Sequence, residues 1–248
     1  VVPGVGIKLE LADQQKQIIQ DDLNSLNHLQ LILSAEERQQ LMALFLLEND
    51  QPKYISELTS IAQVSRTTII KDLDNIENWF EQQGMFVVRR PNYGIEVDGT
   101  ENLRQKLISM LLWGEAPFGQ SCVQINYKEG LIFNYQSDTL LHPLLSQINQ
   151  IIKRWDLTRV FDQIAYAEEK LKSRLTDDAG LHLALVFAIQ TDRIKLGHHL
   201  VIKQERIDSL KALPIWGLAK YIAMKLGWKL RSPFRESDIA GIAIWLLS

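Results

Sequence analysis

The sequence predicts a mainly α fold: a winged helix-turn-helix of three helices plus a β-hairpin, followed by an all-α helical bundle. Three observations predict it. Serine caps precede stripes of apolar residues at three- and four-residue spacing. A hairpin pattern with a turn rich in Asn and Gly occupies 85–98. Beyond about residue 135 the pattern is helical almost throughout. The chain has 248 residues, 46% hydrophobic and 23% charged, enough for one or two domains with an ample core and too apolar for wholesale disorder. No stretch approaches the roughly 18 charge-free apolar residues of a membrane helix, so no membrane partner is expected.

The first elements are the least complete. Pro3-Gly-Val-Gly-Ile-Lys-Leu-Glu10 aligns without gaps to Pro91-Asn-Tyr-Gly-Ile-Glu-Val-Asp98. Each copy is a turn followed by alternating apolar and charged residues, the outgoing strand of a hairpin. Each then runs through a polar break into a helical pattern, 12–26 and 101–113. Either a duplicated unit that has lost its upstream part or two unrelated hairpins gives this pattern. On the first reading 1–12 is the remnant wing of an upstream winged helix and 13–29 a linker helix, with the complete winged helix at 30–105.

The complete unit reads element by element. Ser34-Ala-Glu-Glu37 is a capping box opening a helix with Leu41, Leu44, Phe45 and Leu47 apolar, ending near Asn49-Asp50. A short helix at about 55–62 turns Leu58 and Ile61 inward. Ser65 caps a third helix in which Ile69, Leu73, Ile76 and Phe80 form one stripe, stopped at Gly84. A strand at 85–89, a turn at 90–94 and a return strand at 95–98 form the wing. In a winged helix the third helix enters the major groove with its N-terminal residues at the base edges. Those residues are Ser65, Arg66, Thr67, Thr68 and Lys71, all able to donate to bases or phosphates; the wing adds Arg89, Arg90 and Asn92. Charge cuts the other way. Residues 1–105 carry 9 Lys+Arg against 16 Asp+Glu, and the remainder 18 against 14. DNA affinity rests largely on neutralising phosphates, yet nearly all positive charge of the unit beyond residue 60 lies on the two elements that would face DNA.

The region 106–137 reads as a connecting helix and then, from 118, a linker or ordered loop without period. Helices follow at 139–155, 160–173, 177–196 and about 213–226, with a closing helix at 235–247. Asp177-Asp178 suit a helix start, where carboxylates favour the dipole. His198-His199 reads as a solvated helix end rather than a metal site, since no other ligand stands at the required spacing. No cofactor or metal is expected. There is no Gly-x-Ser-x-Gly, no P-loop and no Gly-x-Gly-x-x-Gly, so the chain does not read as an enzyme. The single cysteine, Cys122, excludes a disulfide framework and, with no basic-then-apolar leader, points to the cytoplasm. The chain opens Val1-Val2-Pro3 and stops inside an apolar helical pattern, and so reads as a piece cut from a longer polypeptide.

Val64-Ser-Arg-Thr-Thr-Ile-Ile-Lys-Asp-Leu73, Arg90-Pro-Asn-Tyr-Gly-Ile-Glu-Val-Asp-Gly99 and Arg104-Gln-Lys-Leu107 resemble the second winged helix of the BglG-related, multidomain transcriptional activators controlled by the sugar phosphotransferase system (PTS), in the branch of mannitol- and lichenan-operon regulators. Leu175-Thr-Asp-Asp178, Leu183-Ala-Leu-Val-Phe-Ala-Ile-Gln-Thr-Asp-Arg193 and Arg235-Glu-Ser-Asp-Ile-Ala-Gly-Ile-Ala-Ile-Trp-Leu-Leu247 resemble the helices of that family's PTS regulation domain, here at 138–248. The resemblance places phosphoacceptor histidines at positions that in this chain are Val186 and Trp245. Neither valine nor indole accepts a phosphoryl group as imidazole does. His182 lies one turn before Val186 on the same helix face, and Arg193 two turns after it. The resemblance therefore implies a DNA-binding regulator, most simply an activator, of a carbohydrate PTS operon. It implies operator DNA and a second copy of the chain as partners, and PTS phosphocarrier proteins acting through domains beyond residue 248. The interface of a dimer is plausible around Trp216, Trp228 and Trp245. A second reading makes the acidic winged helix a protein-interaction or dimerisation module that does not itself touch DNA. RNA antitermination, known in other relatives, needs a small all-β RNA-binding domain that nothing here resembles.

Overall fold

A computed structural model describes residues 33–119, 121, 123–126, 130–133, 143–228, 230 and 233–248. The proposed remnant wing at 1–12, the linker helix at 13–29, the first copy of the repeat and Cys122 lie outside the described residues. Ten helices and two antiparallel hairpins are seen among the described residues, so the fold is mainly α, with a winged helix followed by a helical region.

Helix α1 (Ala35–Glu48) opens on the capping box read from the sequence. Glu37 N donates to Ser34 Oγ at 3.2 Å, and Ser34 N donates to the Glu37 carboxylate at 2.8 Å. Helix α2 (Ile55–Ala62) buries Leu58 and Ala62; Ile61, expected inside, is only half-buried, and the helix stops at Gln63, two residues on, in the left-handed region with φ of 53°. Helix α3 (Arg66–Gln82) follows after two further residues. Its stripe of Ile69, Leu73, Ile76 and Phe80 is fully buried and packs on α1. Strands β1 (Phe86–Arg90) and β2 (Gly94–Asp98) pair antiparallel through Arg90↔Gly94. Val87, Ile95 and Val97 face the core while Phe86 is exposed, the alternation a one-sided hairpin requires.

One pairing has no sequence signature. Lys53 N donates to Ile95 O and Ile95 N to Lys53 O, both at 2.7 Å, so the hairpin is tied to the chain just before α2. Gly94 permits this. Its φ is 116°, and a Cβ there would stand 3.0 Å from the Lys53 carbonyl oxygen.

Helix α4 (Glu101–Trp113), capped by Thr100, lies between the two regions and packs on both α1 and a later helix. The stretch expected to be a linker contains a second hairpin, β3 (Val123–Asn126) with β4 (Gly130–Phe133). Strands of four residues are too short to show a period, so nothing in the local pattern marks them. The helical region comprises α5 (Pro143–Ile152), α6 (Leu157–Leu171), α7 (Asp177–Lys195), α8 (Gln204–Lys211), α9 (Ile215–Leu226) and α10 (Glu236–Leu247). Helix α8 has no counterpart among the expected elements. Eight residues carrying only Ile207 and Leu210 as buried apolar groups give too weak a stripe. Helix α5 ends at Ile152, short of the predicted residue 155, and packs on α1; the predicted start at 139–142 lies outside the described residues. Helices α6 to α10 share one core, centred on Phe187, Ile222, Ile242 and the small residues Ala184, Ala219 and Ala243. The small residues let the helices approach closely, and residues 34–248 form one compact unit.

Candidate nucleic-acid interface

The turn between α2 and α3 sets up the first candidate surface. Ser65 Oγ accepts from Thr68 N at 3.2 Å and lies 2.9 Å from Thr68 Oγ1, so the two hydroxyls serve the helix start before any ligand. This is the N-cap geometry, and it leaves the next residues turned outward. Arg66, Thr67 and Lys71 are exposed, together with Ile70. Arg66 and Lys71 form no ion pair with another described residue, whereas Asp72 on the opposite face is buried and held by Arg38 and Gln39.

The wing brings its cations to the same side. Arg66, Arg89, Arg90 and Asn92 line one cleft of about 430 Å³ with Tyr54, Ser56 and the Pro91 turn. Ser65, Thr67, Thr68 and Lys71 lie outside it. The wing cations differ from Arg66 in being partnered. Arg89 bonds Asp74 at 2.9 Å and also Glu77, both on α3. Arg90 sits 3.1 Å from Glu96 and 5.2 Å from the centre of the Tyr93 ring. Asn92 occupies the left-handed region, φ 60°, at the turn. Sequence reasoning finds these cations but not the carboxylates facing them. Asp74 and Glu77 on α3 point toward β1, a relation between helix and strand that no local spacing encodes.

The second candidate surface involves the positions occupied by Val186 and Trp245. They line one cleft of about 180 Å³, closed on one side by Gln105, Ser109 and other residues of α4. Val186 is buried and Trp245 is 37% exposed. His182 is half-buried there: its ring lies 5.1 Å from that of Trp113 and edge-on to Trp245 at 5.5 Å, with Nε2 3.4 Å from Ser109 Oγ. Arg193 is elsewhere. Its side chain is 1% exposed and grips Glu101 through Nε and Nη2, both at 2.8 Å, with Asp50 at 3.3 Å.

That junction is the main polar feature the sequence did not reveal. Arg154 bridges Glu48 and Asp192, and His198 Nε2 lies 2.7 Å from Asp50. Burial pushes the Glu48 carboxyl above its ordinary value, more than Arg154 lowers it. Burial also raises Asp50, but Arg193 and His198 outweigh it and hold that carboxyl below its ordinary value. The expectation of a solvated His198-His199 end is corrected here: the His199 side chain is only 5% exposed and its Nδ1 lies 2.7 Å from Asp238, which is fully buried. Asp238 also accepts from Leu200 N and Arg235 N. Among the described residues no group of three or more His, Cys, Asp or Glu is placed to hold a metal ion. No helix among them is long and apolar enough to cross a membrane.

No family model matches the chain. Over 109 residues it is 27% identical to the transcriptional regulator ManR of Bacillus subtilis (strain 168), a match spanning 44% of this chain and 17% of that protein.

Proposed function

We propose that this chain is part of a DNA-binding transcriptional regulator of a carbohydrate PTS operon, acting as an activator without catalysis of its own. The similarity to a named transcriptional regulator supports the broad reading. The observation that carries DNA binding is the exposed pair Arg66 and Lys71 at the start of α3, beside a cleft that Arg66 shares with Arg90 and Asn92. Exposed cations at a helix N-terminus that projects from a helix-turn-helix are what phosphates and base edges recognise. Ser65 and Thr68 shape the helix start, Thr67 reaches outward with Lys71, and Arg90 with Asn92 approaches the backbone from the wing. Arg89 offsets one of the two charges of Asp74 and Glu77 and so lessens the repulsion of α3 for the duplex; it joins the DNA contacts only where a phosphate displaces those carboxylates.

In this reading residues 30–105 are the DNA-contacting unit and 138–248 a regulation domain that keeps the scaffold of its family without acceptor histidines, Val186 and Trp245 standing in their places. A symmetric dimer reading paired half-sites follows, and phosphocarrier control is exerted through other domains of the full-length protein.

Fluorescence anisotropy with duplexes from the promoter of the neighbouring operon, at two salt concentrations, tests the proposal. Wild type binds in a salt-sensitive way, and Arg66→Ala with Lys71→Ala lowers the salt slope by about 0.9 for each phosphate no longer neutralised. Equal binding by both proteins, or none by either at low salt, overturns it. The second reading, a protein-interaction module, draws on the acidic groups of α3 that hold Arg89. Absence of DNA binding in the wild type would favour it.

A further inference from the structure

A cleft of about 440 Å³ opens between α6 and α9, in the helical region. Arg159, Asp162, Gln163 and Tyr166 recur at one-turn spacing on α6; Tyr221 and Lys225 face them from α9, and Trp228 follows just beyond. Tyr166 and Tyr221 stack with ring centres 4.5 Å apart and close one end. Arg159 closes the other by donating from Nη1 to the Trp228 carbonyl at 2.9 Å.

The polar groups between these ends are under-used. Gln163 is only 8% exposed, yet its Oε1 finds no donor among the described residues. A buried carbonyl without a partner is uncommon in a native fold and costs stability unless something supplies the hydrogen bond. Asp162 carries no ion pair and Lys225 no carboxylate partner among the described residues; the ammonium of Lys225 rests only over the Tyr221 ring, at 5.2 Å. Trp228 is 61% exposed, a large aromatic surface that the core does not use.

We infer that this cleft binds a small, uncharged, polyhydroxylated ring of about monosaccharide size. The chemistry selects among ligand classes. A simple anion meets Asp162, and a simple cation meets Arg159 and Lys225. An apolar molecule leaves Gln163 unsatisfied. A ring bearing several hydroxyls meets every demand at once, because each hydroxyl both donates and accepts. It donates to Asp162 and, once the buried Gln163 amide turns toward the cleft, to Gln163 Oε1; it accepts from Lys225 and from those N–H groups of Arg159 that Asp156 and the Trp228 carbonyl leave over. Its C–H faces pack on Trp228 and the tyrosine pair, the apolar platform that such rings need. The volume admits one such ring together with several bridging waters. The inference does not depend on DNA binding by the winged helix.

Ligand-observed saturation-transfer NMR on the full chain tests it, with D-glucose, D-mannose and myo-inositol as probes at millimolar concentration and glutamate as the charged competitor. Transfer to ring protons of at least one polyol is expected from the wild type. Asp162→Ala and Lys225→Met, both outside the core, are each expected to weaken it about tenfold, the loss of one hydrogen bond to a charged group. Gln163→Leu is expected to abolish transfer, with circular dichroism reporting that the fold persists. No transfer to any polyol, transfer equal in Asp162→Ala and Lys225→Met to that of wild type, or displacement of the polyol by equimolar glutamate would each overturn the assignment.

Discussion

The winged helix and the helical region differ in where their buried charges find partners. Within the winged helix the partners are close at hand. Asp72 on α3 is met by Arg38 and Gln39 on α1, and Arg104 on α4 donates to the carbonyls of Leu47 and Val97. The helical region instead reaches outside itself. Arg193 of α7 pairs with Asp50 and Glu101 through Nε and Nη2, while its buried Nη1 finds no acceptor among the described residues, and Arg154 shares its charge between Asp192 and Glu48 of α1. The helical region thus leans on its neighbour for Arg193 and for half of Arg154's pairing, although Asp238 finds its partners inside the region, while the winged helix meets Asp72 and Arg104 from its own elements. A core of small residues alone does not neutralise Arg193.

Removing Arg193 is the most direct way to break this asymmetry. Arg193→Ala leaves Glu101, whose side chain is only 10% exposed, with Gln105 Nε2 as a remaining donor, and is expected to cost about 3 kcal/mol, the lower end of the penalty for breaking a buried pair from one side. Urea unfolding followed by far-UV circular dichroism measures it. A loss below about 1 kcal/mol, the range of exposed ion pairs, would mean that the junction is solvated and the two regions are independent.

Within the helical region, Asp238→Ala is expected to cost about 2–3 kcal/mol, because Leu200 N and Arg235 N lose their acceptor along with His199. The same urea titration reports it, and an unchanged midpoint would show those donors finding water. On the winged-helix side the matching change is smaller. Ser34→Ala removes the capping box of α1 and is expected to cost about 1 kcal/mol, read by thermal unfolding.

The smallest effect is a slope. The folded-state pKa of Glu48 is raised, so its contribution is fully present below its unfolded value of 4.5 and is lost as pH rises through the folded value. Asp50 runs the opposite way: its depressed carboxyl stabilises the fold above 3.8 and loses that effect as pH falls through the folded value. Stability measured from pH 4 upward should therefore fall less steeply, or rise more, in Glu48→Gln than in wild type. Parallel profiles would show that Arg154 fully compensates the burial of Glu48.

The same contrast explains what was legible in the sequence. Elements of the winged helix are announced locally, by Ser34 with Glu37, by Ser65, and by the turn at Asn92 to Gly94, so helix and strand ends fall within a residue or two of expectation. Helix α7 was equally plain because Thr176 caps it and Asp177-Asp178 follow. Features that depend on distant residues were not. Arg193 and Glu101 lie 92 positions apart, His199 and Asp238 lie 39 apart, and neither pair alters the pattern around it. The candidate DNA residues stand out as a cationic set, but their division into exposed Arg66 and Lys71 and matched Arg89 and Arg90 required the fold.

The paired hydrogen bonds between Lys53 and Ile95 have a mechanical consequence. The wing cannot swing without dragging the two residues that lead into α2, and α2 holds α3 through the tight turn at Gln63. Wing tip and the start of α3 therefore form the jaws of a fixed caliper. Under the proposed DNA binding, such a caliper would select by groove width before any base is read, and the duplex, not the protein, would supply the bending.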